Sequence, residues 1–197
     1  MPPAVTRTVL RLLAMLLGTL AAMQAAQADT AAAWAALRKD PVVALMRHAD
    51  APGGTGDPAN FRLDDCATQR NLSEQGRREA RAVGEKLRSE RARIAKVASS
   101  PWCRCKDTAE LLELGPVHLD ANFSNVVVLS ERRGEITEAA RRVVAAWKGP
   151  GSLLVVTHGA NIQALVGGTN PAQGEIVVVK PGGEGGLREI GRLPLPR

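Results

Sequence analysis

The stretch Val42-Val43-Ala44-Leu45-Met46-Arg47-His48 runs five apolar residues straight into an arginine and a histidine. A run of strand length that is apolar at every position, with no alternation, suits a strand buried on both faces, as in a parallel sheet covered by helices. Three other stretches read the same way: IAKVA at 94–98, NVVVL at 125–129 and SLLVVT at 152–157. Helical patterns separate them. Ser73 is placed to N-cap a helix reaching about Ser89, with Ala80, Val83 and Leu87 on one face. Ser100-Pro101 reads as N-cap and first helical residue, followed by an apolar stripe of Trp102, Cys105, Ala109 and Leu112. A third helix, about Glu135 to Trp147, turns Ile136, Ala140, Val143 and Trp147 inward and stops at Gly149-Pro150. Strand and helix in alternation predict an α/β fold, a three-layer α/β/α sandwich with a mostly parallel central sheet. The Gly-rich segment 181–186 is a turn between EIVVV and a short last strand near 187–190, suited to an antiparallel edge, and 30–39 reads as an outer helix.

The first 28 residues are set apart from this fold. Arg7 and Arg11 precede a Leu- and Ala-rich run from Leu12 to Met23, and Ala26 and Ala28 offer an A-x-A cleavage site. That is the layout of a secretory signal peptide, and the apolar run is short for a membrane span. The expectation is a signal peptide over 1–28, cleavage near Asp29, one domain over 29–197, and a periplasmic or secreted protein with no membrane attachment after cleavage. The alternative is an uncleaved anchor. Without the leader's two Arg, 24 basic residues face 20 acidic ones, a modest surplus that suits a small anionic partner. Basic residues are scattered, aromatics are few and Tyr is absent, so the stacking platform of a single-strand binder is not visible and no nucleic-acid partner is expected. Nothing in the sequence sets an oligomeric state.

Ligands of open α/β sheets bind outside the carboxyl ends of the strands. After the first strand come Arg47 and His48, and after the second Ser99, Ser100 and a helix with Arg104 in its first turn. After the third come Ser130 and Glu131, and after the fourth His158 and Gly159. Two His, two Arg and one carboxylate thus arrive on one rim. A metal site is the rival reading of the His pair, but the chain has three His, none at i, i+4, and no thiolate cluster beside them. Arginine forks beside imidazoles repel a divalent cation and bind a phosphate dianion, so no metal and no cofactor are expected.

These residues carry a family resemblance. Leu45-Met46-Arg47-His48-Ala49 is similar to the Arg-His-Gly signature of the histidine phosphatases, phosphoglycerate mutase-like proteins of branch 1, with Ala49 in place of the usual Gly. Asn71-Leu72-Ser73-Glu74-Gln75-Gly76 resembles the Leu-Thr-x-x-Gly segment, and Ser99-Ser100-Pro101-Trp102-Cys103-Arg104 the Ser-Ser-Pro-x-x-Arg motif. Val156-Thr157-His158-Gly159 matches the second-His motif. The resemblance implies a phosphoglycerate mutase-like fold and hydrolysis of a small phosphorylated substrate, a phosphomonoester or related compound, through a phosphohistidine on His48. It makes Arg47, Arg104 and His158 the phosphate ligands and Glu131 the acid for the leaving group. Asp50, Asp64 and Asp65 are rival acids, and Arg70 and Asn71 reach the phosphate from the loop after His48. Since His158 is followed by Gly159 rather than Asp, the acid phosphatase and phytase branch fits less well. The second function class is a non-catalytic module of this fold that binds an anionic envelope component.

Export also bears on the three cysteines, because an oxidising compartment favours disulfides. Cys103 and Cys105 point about 200° apart around a helix, so one of them pairs with Cys66 if any bond forms. Cys105 belongs to the apolar stripe, whereas Cys103 shares a face with Asp107 and Glu110 and is expected to look outward. The expected bond is Cys66–Cys103, and the alternative is three free thiols with Cys105 buried.

Overall fold

The computed structural model describes residues 27–39, 41–182 and 186–196. The expected leader falls mainly on 1–26, and part of the Gly-rich turn on 183–185, both outside the described residues. Helix α1 occupies 27–39. Strand β1 (Val43–Arg47), helix α2 (Glu74–Ser89), β2 (Ile94–Ser99), α3 (Cys103–Leu111) and β3 (Val117–Leu119) follow. Then come α4 (Arg133–Ala145), β4 (Ser152–Thr157), α5 (Gly159–Val166), β5 (Ile176–Pro181) and β6 (Leu187–Leu193). One sheet runs in the order β3-β2-β4-β1-β5-β6. The first four strands pair in parallel, while β5 and β6 are antiparallel additions on the β1 side.

The apolar runs are buried on both faces because side chains alternate across a strand. Ala44, Met46, Leu154 and Val156 pack on one side with Leu37, Val83, Leu87, Trp102 and Leu112 of α1, α2 and α3 and their flanks. Val43, Leu45, Leu153 and Val155 pack on the other with Ala140, Val144, Ile162 and Leu165 of α4 and α5. This is the three-layer arrangement expected. Helix α2 is begun by the Ser73 hydroxyl, which accepts from Gly76 N at 2.9 Å, and carries Glu74 in its first turn and Lys86 and Arg88 in its last, each sign suited to its end of the helix dipole. Gly76 is needed there for packing: a Cβ would collide with the Asp50 carbonyl, which accepts from Ser73 N at 3.0 Å. That contact pins the start of α2 to the loop leaving His48.

Two elements differ from expectation. NVVVL is a turn, and the strand on that side is Val117–Leu119, where His118 is exposed rather than part of a connection. Asn125 Oδ1 accepts from Val127 N at 2.9 Å, offering the backbone a local partner in place of a ladder. Helix α3 begins at Cys103, with Trp102 as N-cap, instead of at Pro101. The Ser100 backbone N–H donates to Val156 O at 2.9 Å and its hydroxyl pairs with His158, so Ser100 is tied to the neighbouring strand just past the end of β2 and does not cap the helix. Among the described residues no helix is long and apolar enough to cross a membrane.

Candidate active site

The register Arg47↔Thr157 sets the carboxyl ends of β1 and β4 side by side, so His48 and His158 meet with ring centroids 5.7 Å apart. Both are almost wholly buried. His48 Nδ1 lies 2.8 Å from the Ala49 carbonyl, which can only accept, so Nδ1 carries the proton and Nε2 keeps its lone pair. Burial pushes the His48 imidazole down to about 3, helped by Arg104, Arg47 and Arg70 and opposed by the Ala49 carbonyl. His48 is therefore neutral near pH 7, as a nucleophile must be. His158 is also held well below its ordinary value, by burial first and then by Arg104 and His48. Its Nε2 is 2.9 Å from Ser100 Oγ and its Nδ1 is 3.4 Å from Arg104 Nη2. Because a hydroxyl both donates and accepts, Ser100 supports either His158 tautomer.

Around the two rings lies a cavity of about 90 Å³, lined among others by Arg47, Arg70, Arg104, Asn125, Val127 and Gly159. Arg104 is fully buried. The Nε atoms of Arg47, Arg70 and Arg104 are all buried without a hydrogen-bond partner. Buried guanidinium donors are rarely left unpaired, and the three side chains that carry them line one cavity, a setting suited to an acceptor-rich anion. Each of the first two is tied to the protein through one Nη atom: Arg47 Nη1 donates to Pro171 O at 2.8 Å and Arg70 Nη1 to Ala51 O at 2.7 Å. Arg104 donates through both Nη atoms to Asp57, at 2.7 and 3.1 Å.

Residues 43–128 match the family model described as the histidine phosphatase superfamily (branch 1). That match takes in Arg47, His48, Arg70 and Arg104 but not His158. No curated protein matches it by sequence. Among solved structures, the protein histidine phosphatase SixA complexed with tungstate is 22% identical, with 78% of this chain and 96% of that chain covered and a TM-score of 0.51. The putative phosphohistidine phosphatase SixA from Agrobacterium tumefaciens is 20% identical, with 79% and 99% covered and a TM-score of 0.54. A mycobacterial glucosyl-3-phosphoglycerate phosphatase is 16% identical, with 76% and 96% covered and a TM-score of 0.55. These likenesses concern the fold, which is phosphoglycerate mutase-like.

The structure brings together His48, His158, Arg47, Arg70 and Arg104. It does not bring Asn71 to the cavity, since its Nδ2 donates to Cys66 O at 2.6 Å. Glu131 sits exposed on the 3-10 turn Ser130–Arg132, outside the cavity lining. The rival acids lie elsewhere too: Asp50 accepts from Ser73 Oγ at 2.5 Å, Asp64 pairs with Arg62 on the surface, and Asp65 caps the 3-10 turn Cys66–Thr68. Asn125, Gly54 and Gly56 line the cavity, and Asp57 holds Arg104 from beside it, without a sequence pattern that singles them out. Gly159 is required by close packing, because a Cβ there would collide with Asn170 Oδ1 and approach Arg47 Cδ at 3.1 Å.

Cys66 and Cys103 are joined by a disulfide with Cα atoms 5.7 Å apart, and Cys105 is free and buried. Cys103 is itself buried, not outward-facing, because the loop carrying Cys66 lies over it and Gln69 Oε1 accepts from its N–H at 3.0 Å. Closing a separation of 37 residues stabilises the domain by about 4 kcal/mol in the chain-entropy account. The bond also fastens the loop preceding Arg70 to the residue next to Arg104. Burial pushes the Cys105 thiol up to about 12, so it stays protonated against His158 Nε2 at 3.6 Å.

The two depressed imidazoles make stability depend on pH. Unfolded His binds a proton below about 6.5, whereas folded His48 refuses it until about 3. Stability is therefore full above pH 6.5 and is lost as pH falls toward 3, each imidazole contributing a slope of up to about 1.4 kcal/mol per pH unit. Urea unfolding at pH 7, 6, 5 and 4 should show this decline, and His48→Gln should remove one imidazole's share of the slope. An unchanged slope would mean that His48 is not buried neutral.

Proposed function

We propose that the protein is a metal-independent phosphatase that carries the phosphoryl group on His48 before passing it to water. The observation that carries the reading is the trio of Arg47, Arg70 and Arg104 lining one cavity, each with an unpartnered Nε, beside a neutral His48. The lone pair of His48 Nε2 attacks phosphorus, the bond to the leaving oxygen breaks, and that oxygen departs with its electron pair. Arg47, Arg70, Arg104 and His158 hold the equatorial oxygens, where charge is spread in the transition state. Water then attacks the phosphohistidine, releasing phosphate and restoring the His48 lone pair. Three guanidiniums supply the charge neutralisation that a cation would otherwise give. The leader pattern and the Cys66–Cys103 bond together support export to an oxidising compartment.

No carboxylate is among the described residues that line the cavity. This favours substrates whose leaving group departs without a proton from the enzyme, such as aryl phosphates or the phosphorylated nitrogen of a phosphohistidine. The purified protein with chelator present should hydrolyse nitrophenyl phosphate and a phosphohistidine peptide, with alkyl phosphates slower by about 100-fold or more, the lower range of general-acid contributions. Glu131→Gln should leave the order unchanged. Strict dependence on an added divalent metal would end the mechanism, and equal turnover of alkyl and aryl phosphates would restore an enzyme acid, with Glu131 the first to test.

A further inference from the structure

Arg104 is held from behind. Asp57 Oδ1 accepts from Arg104 Nη1 at 2.7 Å and from Arg70 N at 3.1 Å, while Oδ2 accepts from Arg104 Nη2 at 3.1 Å and from Trp102 Nε1 at 3.0 Å. Neither the Asp57 nor the Arg104 side chain has exposed surface. Asp57 does not line the cavity between the histidines but a neighbouring one, shared with Gly53, Thr55, Gly56 and Arg70. The carboxylate thus takes the end-on fork of the guanidinium and leaves the Nε edge unpartnered. The chain reaches this position through Gly53, Gly54 and Gly56, with φ of 104°, 81° and 86°, a left-handed path that side chains disfavour. Gly54 and Gly56 also line the cavity.

We propose that Asp57 is the positioning residue of the phosphate site, fixing Arg104 by its terminal fork so that the Nε edge is presented to the phosphoryl group. This rests on the reading that the cavity takes a phosphoryl group. Charge supports it. Arg47, Arg70 and Arg104 carry three positive charges around one cavity, and Asp57 reduces the sum to two, matching a phosphate dianion. A guanidinium fixed before the substrate arrives also needs no reorganisation during the reaction. The competing role is autoinhibition, in which Asp57 occupies the fork that phosphate needs and must be displaced.

The test is binding of inorganic phosphate to the full-length protein, read beside nitrophenyl phosphate turnover. Asp57→Asn keeps the shape but loses the charge, and should weaken phosphate binding by roughly 10- to 100-fold, the range seen when an outer partner is removed from a metal ligand. In an Arg104→Ala background the same substitution should have no further effect on phosphate affinity. Equal or tighter phosphate binding by Asp57→Asn overturns the proposal in favour of autoinhibition, and an undiminished loss in the Arg104→Ala background overturns action through Arg104. Should Asp57→Asn not fold, the wild-type protein decides. Phosphate should shift the Arg104 Nε–H resonance and leave the Asp57 carboxyl carbon in place, and a displaced Asp57 carbon overturns the proposal. If phosphate binds and Arg104 responds while nitrophenyl phosphate is untouched, hydrolysis fails and the Asp57 role stands. If the wild type does not bind phosphate, both fall.

Discussion

His48→Ala should lower turnover of nitrophenyl phosphate by at least about 10⁴-fold, the scale of losing a covalent nucleophile, while leaving phosphate binding nearly intact. The two readouts separate because the binding donors are not on His48. Arg47, Arg70 and Arg104 line the cavity and are held by Pro171, Ala51 and Asp57, not by the His48 imidazole. What disappears is the Nε2 lone pair, freed in the wild type by the 2.8 Å bond from Nδ1 to the Ala49 carbonyl. The same bond predicts where the phosphoryl group resides. Quenching the wild type without acid during turnover of labelled substrate should place label on His48, and label on another side chain would end the mechanism. A variant that loses phosphate binding along with turnover would show that the imidazole acts as a ligand, and the nucleophile would have to be sought elsewhere.

Legibility in the sequence follows the physics of each residue. β1 and β4 can be read because burial on both faces leaves no polar position in VVALM or LLVV, and their carboxyl ends then bring Arg47, His48 and His158 to one rim. The same reasoning fails at NVVVL, since an apolar run without periodicity does not distinguish a strand from a buried turn, and the deciding group is the Asn125 side chain bonding two residues ahead. β3 is not legible because three residues at a sheet edge, none of them buried, carry no pattern. Ser100 has the composition of an N-cap but pairs its hydroxyl with His158, 58 residues away. Asp57 leaves no signal at all. A single Asp in a loop of glycines and prolines reads as a turn residue, and only the path of that loop shows that it meets a guanidinium 47 residues later.

Arg104→Ala should cost both activity and stability, and the two losses should be separable. Activity should drop by about 10²- to 10³-fold, as when one preorganised donor to a developing anion is removed. Stability should fall by about 3 to 5 kcal/mol, because the truncation leaves the Asp57 carboxylate buried with only Arg70 N and Trp102 Nε1 as donors. In the wild type, burial alone would raise the Asp57 carboxyl, and the hydrogen bonds and charge of Arg104 hold it below its ordinary range. Without Arg104 that balance reverses, so the variant should be more stable at mildly acidic pH, where Asp57 can protonate, than its pH 7 value implies. Adding Asp57→Asn to Arg104→Ala removes the stranded charge and should recover part of the stability with no recovery of turnover. Arg104→Lys should keep the charge but not the planar fork that spans both Asp57 oxygens, so it should restore less activity than stability. Urea unfolding and nitrophenyl phosphate kinetics on the three variants measure these terms side by side. If the double variant regained turnover, Arg104 would be a structural counter-ion to Asp57 and not a donor to the phosphoryl group.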